Sequence, residues 1–316
     1  MKPNAINIEF GKNPRGIWPK RRGFAVCLTH DVDELHKTYQ YVTNSIRGIK
    51  RGDVGALKRE FVSFLRKIRG SEPYWTFEII MTLEEKLGLR STFFFLNETG
   101  KVKIFDRKTW RHYGRRYDFS DKKVAEIIRI LHEGGWEIGL HGSFYSYNNL
   151  NLLRKEKEKL EKVLGAKVVG IRQHNLNLEI PTTWKIQEKL GFEYDTTLGF
   201  NDKVDFPGTC FPFYPVDEKG KPMKILEIPL AIEDIALFRY DNPWEVCLKM
   251  IDYVEKQGGV LTVLWHHAVF NELEYPGWAE MYKRLIKICK QRSAWIATAG
   301  EIARWWKNYE NYKKNR

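Results

Sequence analysis

The feature that most constrains the fold is the alternation of short apolar runs with longer helical patterns along nearly the whole chain. The runs are rich in β-branched and aromatic residues, and the segments between them repeat apolar residues at helical spacing. This alternation predicts an α/β fold made of βα units with a parallel sheet. The predicted strands lie near 24–29, 92–96, 136–140, 168–171, 192–195, 224–228, 260–265 and 294–297.

The number of these units favours a distorted, closed or nearly closed (β/α)7–8 barrel over an open dinucleotide-binding sheet. No Gly-x-Gly-x-x-Gly motif follows the first predicted strand, as such a sheet would require. No flexible linker, low-complexity block or internal repeat divides the chain. We therefore predict a single domain over 1–316, with a helical insertion at about 36–90.

The net charge of +13 favours an anionic partner, which could be nucleic acid, an anionic membrane face or a phosphate-bearing glycan carrier. No recognised nucleic-acid-binding motif accompanies the charge, so we expect no specific nucleic acid. Residues 55–70 and the tail 304–316 mix apolar and basic side chains, a composition compatible with peripheral contact with an anionic membrane. For both segments we favour the simpler interpretation that the apolar stripe packs on the protein's own core.

Two further features bear on the cellular compartment. The chain starts without the charged-then-apolar pattern of a secretory signal, and no apolar run approaches the ~20 residues that cross a bilayer. We therefore expect a cytoplasmic protein, with membrane association as an option. Four cysteines lie far apart without Cys-x-x-Cys spacing, which predicts buried, reduced thiols.

Acidic and histidine residues cluster at the carboxyl ends of the predicted strands, where a barrel places its chemistry. Two carboxylates two residues apart can divide their tasks, one binding a metal while the other acts as a base. Aspartate and histidine with an open position form a common catalytic zinc arrangement. The residues at strand ends are Asp31, Asp33, His141, Arg172, His174, Asp195, His266 and His267.

The ordered set of motifs resembles the polysaccharide deacetylase (NodB homology) family, in the branch where one residue separates the first two acids. THDVD (29–33), EIGLHGSFYS (137–146), GIRQH (170–174) and LTVLWHH (261–267) resemble its motifs in the expected order. STFFFL (91–96) resembles its second strand. The resemblance spans about 24–278 and implies a metal-dependent carbohydrate deacetylase on a barrel.

The resemblance also implies roles for individual residues. Asp31 would be the general base that deprotonates the attacking water, and Asp33 and His141 would be metal ligands. Arg172 would pair with Asp31 and hold it ionised. His266 would be the general acid that protonates the leaving amine, and Asp195 would steady Arg172 or His266.

The chain departs from the family pattern at two positions. The family usually has a second histidine four residues after the first, where this chain has Tyr145, and a proline where this chain has His174. We predict that His174 replaces the missing ligand; the alternatives are a water or a site with only Asp33 and His141. Zinc is the expected metal, and cobalt, nickel or manganese could replace it.

The implied substrate is an N-acetylated amino sugar, and a cytoplasmic location favours a phosphate-linked glycan precursor over a finished polymer. Segment 199–211 is expected to form a loop over the site. The candidate substrate contacts are Tyr145, Ser146, Trp265, Gly208 and Phe211. Two alternatives stay open: hydrolysis of a non-sugar C–N bond in a cyclic amide or ureide, and a non-catalytic glycan-binding protein.

Overall fold

Nine parallel strands form the sheet in the computed structural model, which describes residues 16–50, 52–98, 105 and 117–314. Each of the eight predicted strands is present, and β7 is an addition that the sequence did not reveal. The strands are β1 (Ala25–Val32), β2 (Thr92–Leu96), β3 (Glu137–Gly142), β4 (Gly170–Gln173), β5 (Tyr194–Asp195), β6 (Leu226–Glu227), β7 (Ile232–Glu233), β8 (Val260–Leu264) and β9 (Trp295–Ala297).

The order of the strands closes the sheet into a distorted barrel. Neighbours follow the order β6-β5-β4-β3-β2-β1-β8-β7, and β9 pairs with the first half of β1. Only the short segment 228–231 separates the edge strands β6 and β7. Its Ile228 N–H donates to Asp195 O of β5, and its Ala231 N–H donates to Thr262 O of β8. The chain therefore bridges both edges, and the predicted distorted barrel is confirmed.

Helices cover the outside of the sheet and lie between the strands, where the alternation predicts them. Asparagine side chains cap two of them, Asn149 before α5 and Asn242 before α8, by accepting backbone N–H groups. The helices are α1 (Gln40–Lys50), α2 (Val54–Ile68), α3 (Phe77–Lys86), α4 (Lys122–Glu133), α5 (Leu150–Leu164), α6 (Thr182–Lys189), α7 (Asp234–Leu237), α8 (Pro243–Gln257), α9 (Trp278–Gln291) and α10 (Ala299–Lys314). Helices α1 to α3 occupy the predicted insertion between β1 and β2.

Strand β1 shows how the fold separates the interior of the barrel from the layer beneath the helices. All eight of its residues are buried, as expected for a central parallel strand covered on both faces. Thr29 and Asp31 point inward, where Arg172 donates to both side chains. His30 points outward, and its Nε2 lies 3.1 Å from Glu84 of α3. The alternation of a strand thus directs Asp31 into the barrel mouth.

The apolar stripe of residues 55–70 lies on the outer surface, so the prediction that it packs on the core is wrong. The exposed fractions are 44% for Leu57, 63% for Phe61, 37% for Leu65 and 67% for Ile68. The tail behaves differently, because Trp306 of α10 is fully buried and packs against Trp18. A helical stripe predicts an apolar face but does not say what covers it.

Two other predictions concern the cysteines and the absence of a membrane-spanning segment. The four cysteines are buried and free of disulfides, as predicted. Within the described part of the chain, every helix is too short or too polar to span a membrane.

Candidate active site

A polar cavity of about 490 Å³ opens at the carboxyl ends of the strands. Its wall contains the predicted base, ligands and acid together: Asp31, Asp33, His141, His174 and His266. Asp31 and His141 lie in β1 and β3, whereas Asp33, His174 and His266 follow β1, β4 and β8. These segments are remote from one another in sequence. The barrel therefore brings the predicted catalytic and metal-binding residues to one place, as the strand-end pattern indicated.

Asp33, His141 and His174 form a cluster whose ligand atoms face one another. Asp33 Oδ1 lies 3.2 Å from His141 Nε2 and 3.3 Å from His174 Nδ1. The two imidazole nitrogens are 3.2 Å apart. Zinc ligands with bonds of ~2.0–2.1 Å in a tetrahedral arrangement lie about 3.4 Å apart. The donor set and its spacing therefore fit a divalent metal, with His174 in the third place.

The surroundings orient both histidines of this cluster. His141 Nδ1 lies 2.9 Å from the carbonyl oxygen of Arg172, so Nδ1 donates and Nε2 keeps a lone pair for a metal. His174 begins a short 3-10 helix in which Asn175 and Leu176 both have positive φ, at 60° and 52°. All three residues of this left-handed turn line the cavity.

Asp31 and Arg172 form a buried ion pair beside the cluster. Arg172 Nη1 donates to Asp31 Oδ1 at 2.9 Å, and neither side chain is more than 3% exposed. Burial alone would raise the pKa of Asp31, but the charges of Arg172, His141 and His266 outweigh burial and hold that pKa below its usual value. Asp31 is therefore an ionised carboxylate, and its Oδ2 lies 3.5 Å from His141 Nε2.

His266 faces the same cavity and is held by Asp234, a residue that the sequence analysis missed. His266 Nδ1 lies 2.8 Å from Asp234 Oδ1, and the His266 backbone N–H donates to Asp234 Oδ2. Burial alone would lower the pKa of His266, but Asp234 together with Asp33 and Asp31 raises it to about 10. The imidazole is therefore protonated at neutral pH, with Nε2 as its second N–H group.

Comparison with known proteins gives a result for the fold only. No protein-family model and no curated sequence matches the chain. Among solved structures, a protein described as a polysaccharide deacetylase from Mycobacterium smegmatis has a TM-score of 0.60 at 18% identity, covering 94% of this chain and 93% of its own. A second so described, from Pseudomonas aeruginosa PAO1, has a TM-score of 0.61 at 16% identity, with 96% and 97% covered. The chain has the polysaccharide deacetylase fold.

A third solved structure shows that this fold is shared with an enzyme named for another substrate. PuuE allantoinase has a TM-score of 0.61 at 17% identity, with 97% of this chain and 98% of its own covered. The polysaccharide deacetylase fold therefore agrees with the resemblance found in the motifs.

Asp195 does not have the expected partners, and its prediction is corrected. The carboxylate accepts from Thr197 Oγ1 and from Trp184 Nε1, and Trp184 also donates to Glu227 at 2.8 Å. Burial raises the pKa of Asp195 to about 6, and the pKa of Glu227 rises further because of burial and of Asp195 itself. Asp195 is thus part of a buried acid pair behind the site, while Asp234 holds His266.

Glu233 is the second acidic residue, after its neighbour Asp234, that the sequence analysis missed, and it lines the cavity. Its side chain is buried, and among the described residues its Oε2 has no hydrogen-bond partner. Burial raises the pKa of Glu233 to about 8, although the charge of His266 opposes the rise. The signal was present in LAIED (230–234), where an apolar run ends in two acids as LTHDVD does.

The predicted substrate contacts mostly lie away from the cavity. Trp265 is fully buried and packs against Phe238 and Tyr282, because neighbouring residues of a strand point opposite ways and His266 faces the cavity. Ser146 is also fully buried, with its hydroxyl donating to Ser143 O. Neither side chain is accessible to a sugar in this structure.

The other three predicted contacts are corrected as well. Phe211 is buried against Trp306 near the amino end of β8, at the opposite end of the barrel from the cavity. Gly208 is exposed in the same loop, with a φ of +98°, and Tyr145 packs edge-on against Phe144 with 44% exposure. None of the three lines the cavity. Segment 199–211 reaches the mouth only through Asn201 and Asp202.

Proposed function

We propose that the protein is a metal-dependent hydrolase that removes an acetyl group from an N-acetylated amino sugar. The observation that carries the proposal is the convergence of three groups on one cavity. These groups are the Asp33–His141–His174 cluster, a carboxylate held ionised by Arg172 and an imidazolium held by Asp234. Amide hydrolysis by water needs an activated nucleophile, a proton acceptor and a proton donor.

Asp33, His141 and His174 would hold the metal, for which zinc is the first choice and cobalt, nickel or manganese are alternatives. When bound, such a metal lowers the pKa of water to near ~7 and polarises the acyl carbonyl. Two imidazole nitrogens and one carboxylate form a donor set that suits a borderline cation such as zinc. Hard cations such as calcium and magnesium prefer sites made only of oxygen ligands.

The protein's own groups would move the protons. Asp31 Oδ1 is occupied by Arg172, so Oδ2, on the side of the ligand cluster, accepts the proton of the attacking water. The water oxygen bonds to the acyl carbon, and the C–N bond then breaks as His266 Nε2 donates its proton to the departing amine. The products are acetate and the free amino sugar.

We further propose that the acetylated sugar is attached to a phosphate and is processed in the cytoplasm. Arg47 of α1 and Arg239 line both this cavity and a neighbouring one of about 460 Å³, so they lie where the two cavities meet. Neither guanidinium has a hydrogen bond or ion pair with a described residue. Arginine matches phosphate oxygens in a bidentate manner, and the net charge of +13 acts in the same direction.

One alternative is supported by a specific observation. PuuE allantoinase shares the fold at a TM-score of 0.61, so a cyclic ureide or amide is the second candidate substrate. A glycan-binding protein without turnover is the third possibility, and binding without product would reveal it.

The test is a product assay with two readouts. The protein, loaded with zinc or cobalt, is incubated with N-acetylglucosamine, UDP-N-acetylglucosamine or allantoin, and acetate and ring-opened product are measured. We expect acetate, faster from the phosphate-linked sugar, and its loss in Asp31→Asn. Asp202→Asn is the matched control, because Asp202 also lines the cavity but lies outside the catalytic cluster. Ring opening of allantoin without acetate release would favour the alternative, and sugar binding with no product from any substrate would contradict both.

A further inference from the structure

Helices α1 and α2 form a hairpin whose apolar and polar sides are reversed relative to an ordinary surface helix. In α2 the buried positions are small or polar: Ala56, Glu60 and Ser63. Glu60 Oε2 lies 2.6 Å from the ammonium group of the buried Lys37, and Ser63 Oγ lies 3.4 Å from it. The polar side of α2 is therefore the side that packs on the protein.

The apolar side chains of both helices point to solvent in two continuous stripes. In α1, Val42, Ile46 and Ile49 recur at helical spacing and are 62%, 49% and 63% exposed. In α2 the stripe consists of Leu57, Phe61, Phe64, Leu65 and Ile68. Exposed apolar patches of this extent mark interaction surfaces. We name this face, with its two stripes, the hairpin face.

Basic residues flank the hairpin face. Lys50 at the end of α1, Lys58 and Arg66 in α2, and Arg69 just after it are all exposed. None of the four has an acidic partner among the described residues. An apolar stripe with Lys and Arg along its borders is the pattern of helices that lie in the interface of an anionic bilayer. A protein core or an ordinary protein partner would not require this border of unpaired cations.

We propose that the hairpin face docks on an anionic lipid membrane. The same two helices border the candidate active site with their other sides, since Asn44 and Arg47 of α1 line the catalytic cavity and Ala56 and Arg59 of α2 line the neighbouring one. Docking would therefore hold the catalytic cavity within about one helix diameter, ~10–12 Å, of the phosphate groups of the bilayer. Resting on the proposed function, this makes a lipid-phosphate-linked N-acetylated sugar the substrate class.

The first test measures vesicle binding by flotation, using the full chain. We expect binding to phosphatidylcholine vesicles containing about 30% phosphatidylglycerol and little binding to phosphatidylcholine alone, with a decline between about 0.1 M and 0.5 M salt. Phe61→Ser with Ile68→Ser should reduce partitioning at least ~10-fold. The matched control is Ile130→Ser with Ile180→Ser, which changes two exposed isoleucines outside the hairpin face.

A charge series separates electrostatic from apolar contributions. Lys58→Gln with Arg66→Gln should weaken binding to the anionic vesicles, whereas Lys122→Gln with Lys123→Gln on α4 should not. Melting temperatures should be unchanged in all variants, because every substituted side chain is exposed. A large drop for the Phe61 and Ile68 variant would show that the stripe is covered by the protein itself and would overturn the proposal.

The remaining outcomes are also decisive. Absence of vesicle binding, or binding that the Phe61 and Ile68 variant retains, overturns the proposal. So does a dimer, seen by light scattering, that this variant converts to a monomer while vesicle binding is absent, since the face would then bind a second copy. Binding needs no turnover, so vesicle binding without acetate release would reject the proposed function and leave the docking surface in place. Acetate release from soluble sugars without vesicle binding would do the reverse.

Discussion

Replacing Arg172 by methionine should both destabilise the protein and disable its base. The fully buried guanidinium makes four hydrogen bonds: to Thr196 O at 3.0 Å, Thr196 Oγ1 at 3.0 Å, Thr29 Oγ1 at 2.8 Å and Asp31 Oδ1 at 2.9 Å. Removing it leaves the Asp31 carboxylate buried without its main counter-charge, which typically costs about 3–5 kcal/mol. Urea denaturation at pH 7 should show a loss of that size.

The same substitution should change the pH dependence of activity. Without Arg172, burial raises the pKa of Asp31, so the carboxylate that accepts the proton is lost at a higher pH. The acid limb of the kcat/KM profile should move to higher pH, and loss of the base costs about 10²–10⁴-fold. Arg172→Lys, which keeps the charge, is the control and should move the limb less.

A double variant checks the physical cause. Adding Asp31→Asn to Arg172→Met removes the unpaired carboxylate, so the pair should be less destabilised than the sum of the two single changes. A loss below about 1 kcal/mol in Arg172→Met, with an unmoved acid limb, would refute the assignment of Arg172 as the group that holds Asp31 ionised.

Three further predictions concern the metal, the acid and the stability. His174→Ala should weaken zinc binding, measured by competition with a chelating dye, by more than the ~10–100-fold typical of changes behind the ligands; unchanged affinity would exclude His174 as a ligand. Asp234→Asn should lower the pKa of His266 from about 10, so kcat should fall by about 10²-fold at pH 8 and recover partly at lower pH; an unchanged profile would contradict the pairing. Glu233 has its pKa raised to about 8 from an ordinary 4.5, so it is protonated in the fold, and its contribution to stability is present below about pH 4.5 and lost as the pH rises towards 8. Glu233→Gln should flatten this decline in thermal melts, and an equally steep decline would contradict the assignment.

The sequence predicted the elements well because buried parallel strands are short, continuous apolar runs. TFFFL (92–96) matches β2 in both bounds. Strand β7 (Ile232–Glu233) escaped because it follows β6 after only the four residues 228–231, so both strands lie within one apolar stretch that the sequence analysis took as a single strand. A continuous apolar stretch carries no periodicity that would divide it into two strands.

The sequence predicted the position of a site residue when that position depends on which strand the residue follows. It was less successful when the position depends on the direction of the side chain. His174 could be placed near Asp33 and His141 because it follows a neighbouring strand. Asp234 could not be linked to His266 from sequence, since the contact depends on β7 lying beside β8. Trp265 was misplaced although its neighbour His266 faces the cavity, a case in which strand alternation would have corrected the prediction.

The sequence was least informative about what covers an apolar face. The spacing of Leu57, Phe61 and Ile68 predicts a stripe on α2, as observed. Whether such a stripe faces the core or the solvent depends on the opposite side of the helix, where Glu60 bonds with the buried Lys37. That contact joins residues from two segments, and helical periodicity alone does not predict it.

The central claim is that Asp33, His141 and His174 hold a divalent cation beside Asp31 and His266. An anomalous-difference map from crystals grown with zinc tests it most directly. We predict one strong peak at about 2.0–2.2 Å from Asp33 Oδ1, His141 Nε2 and His174 Nδ1. A map with no peak at this cluster, or with zinc bound elsewhere in the barrel, would contradict the account.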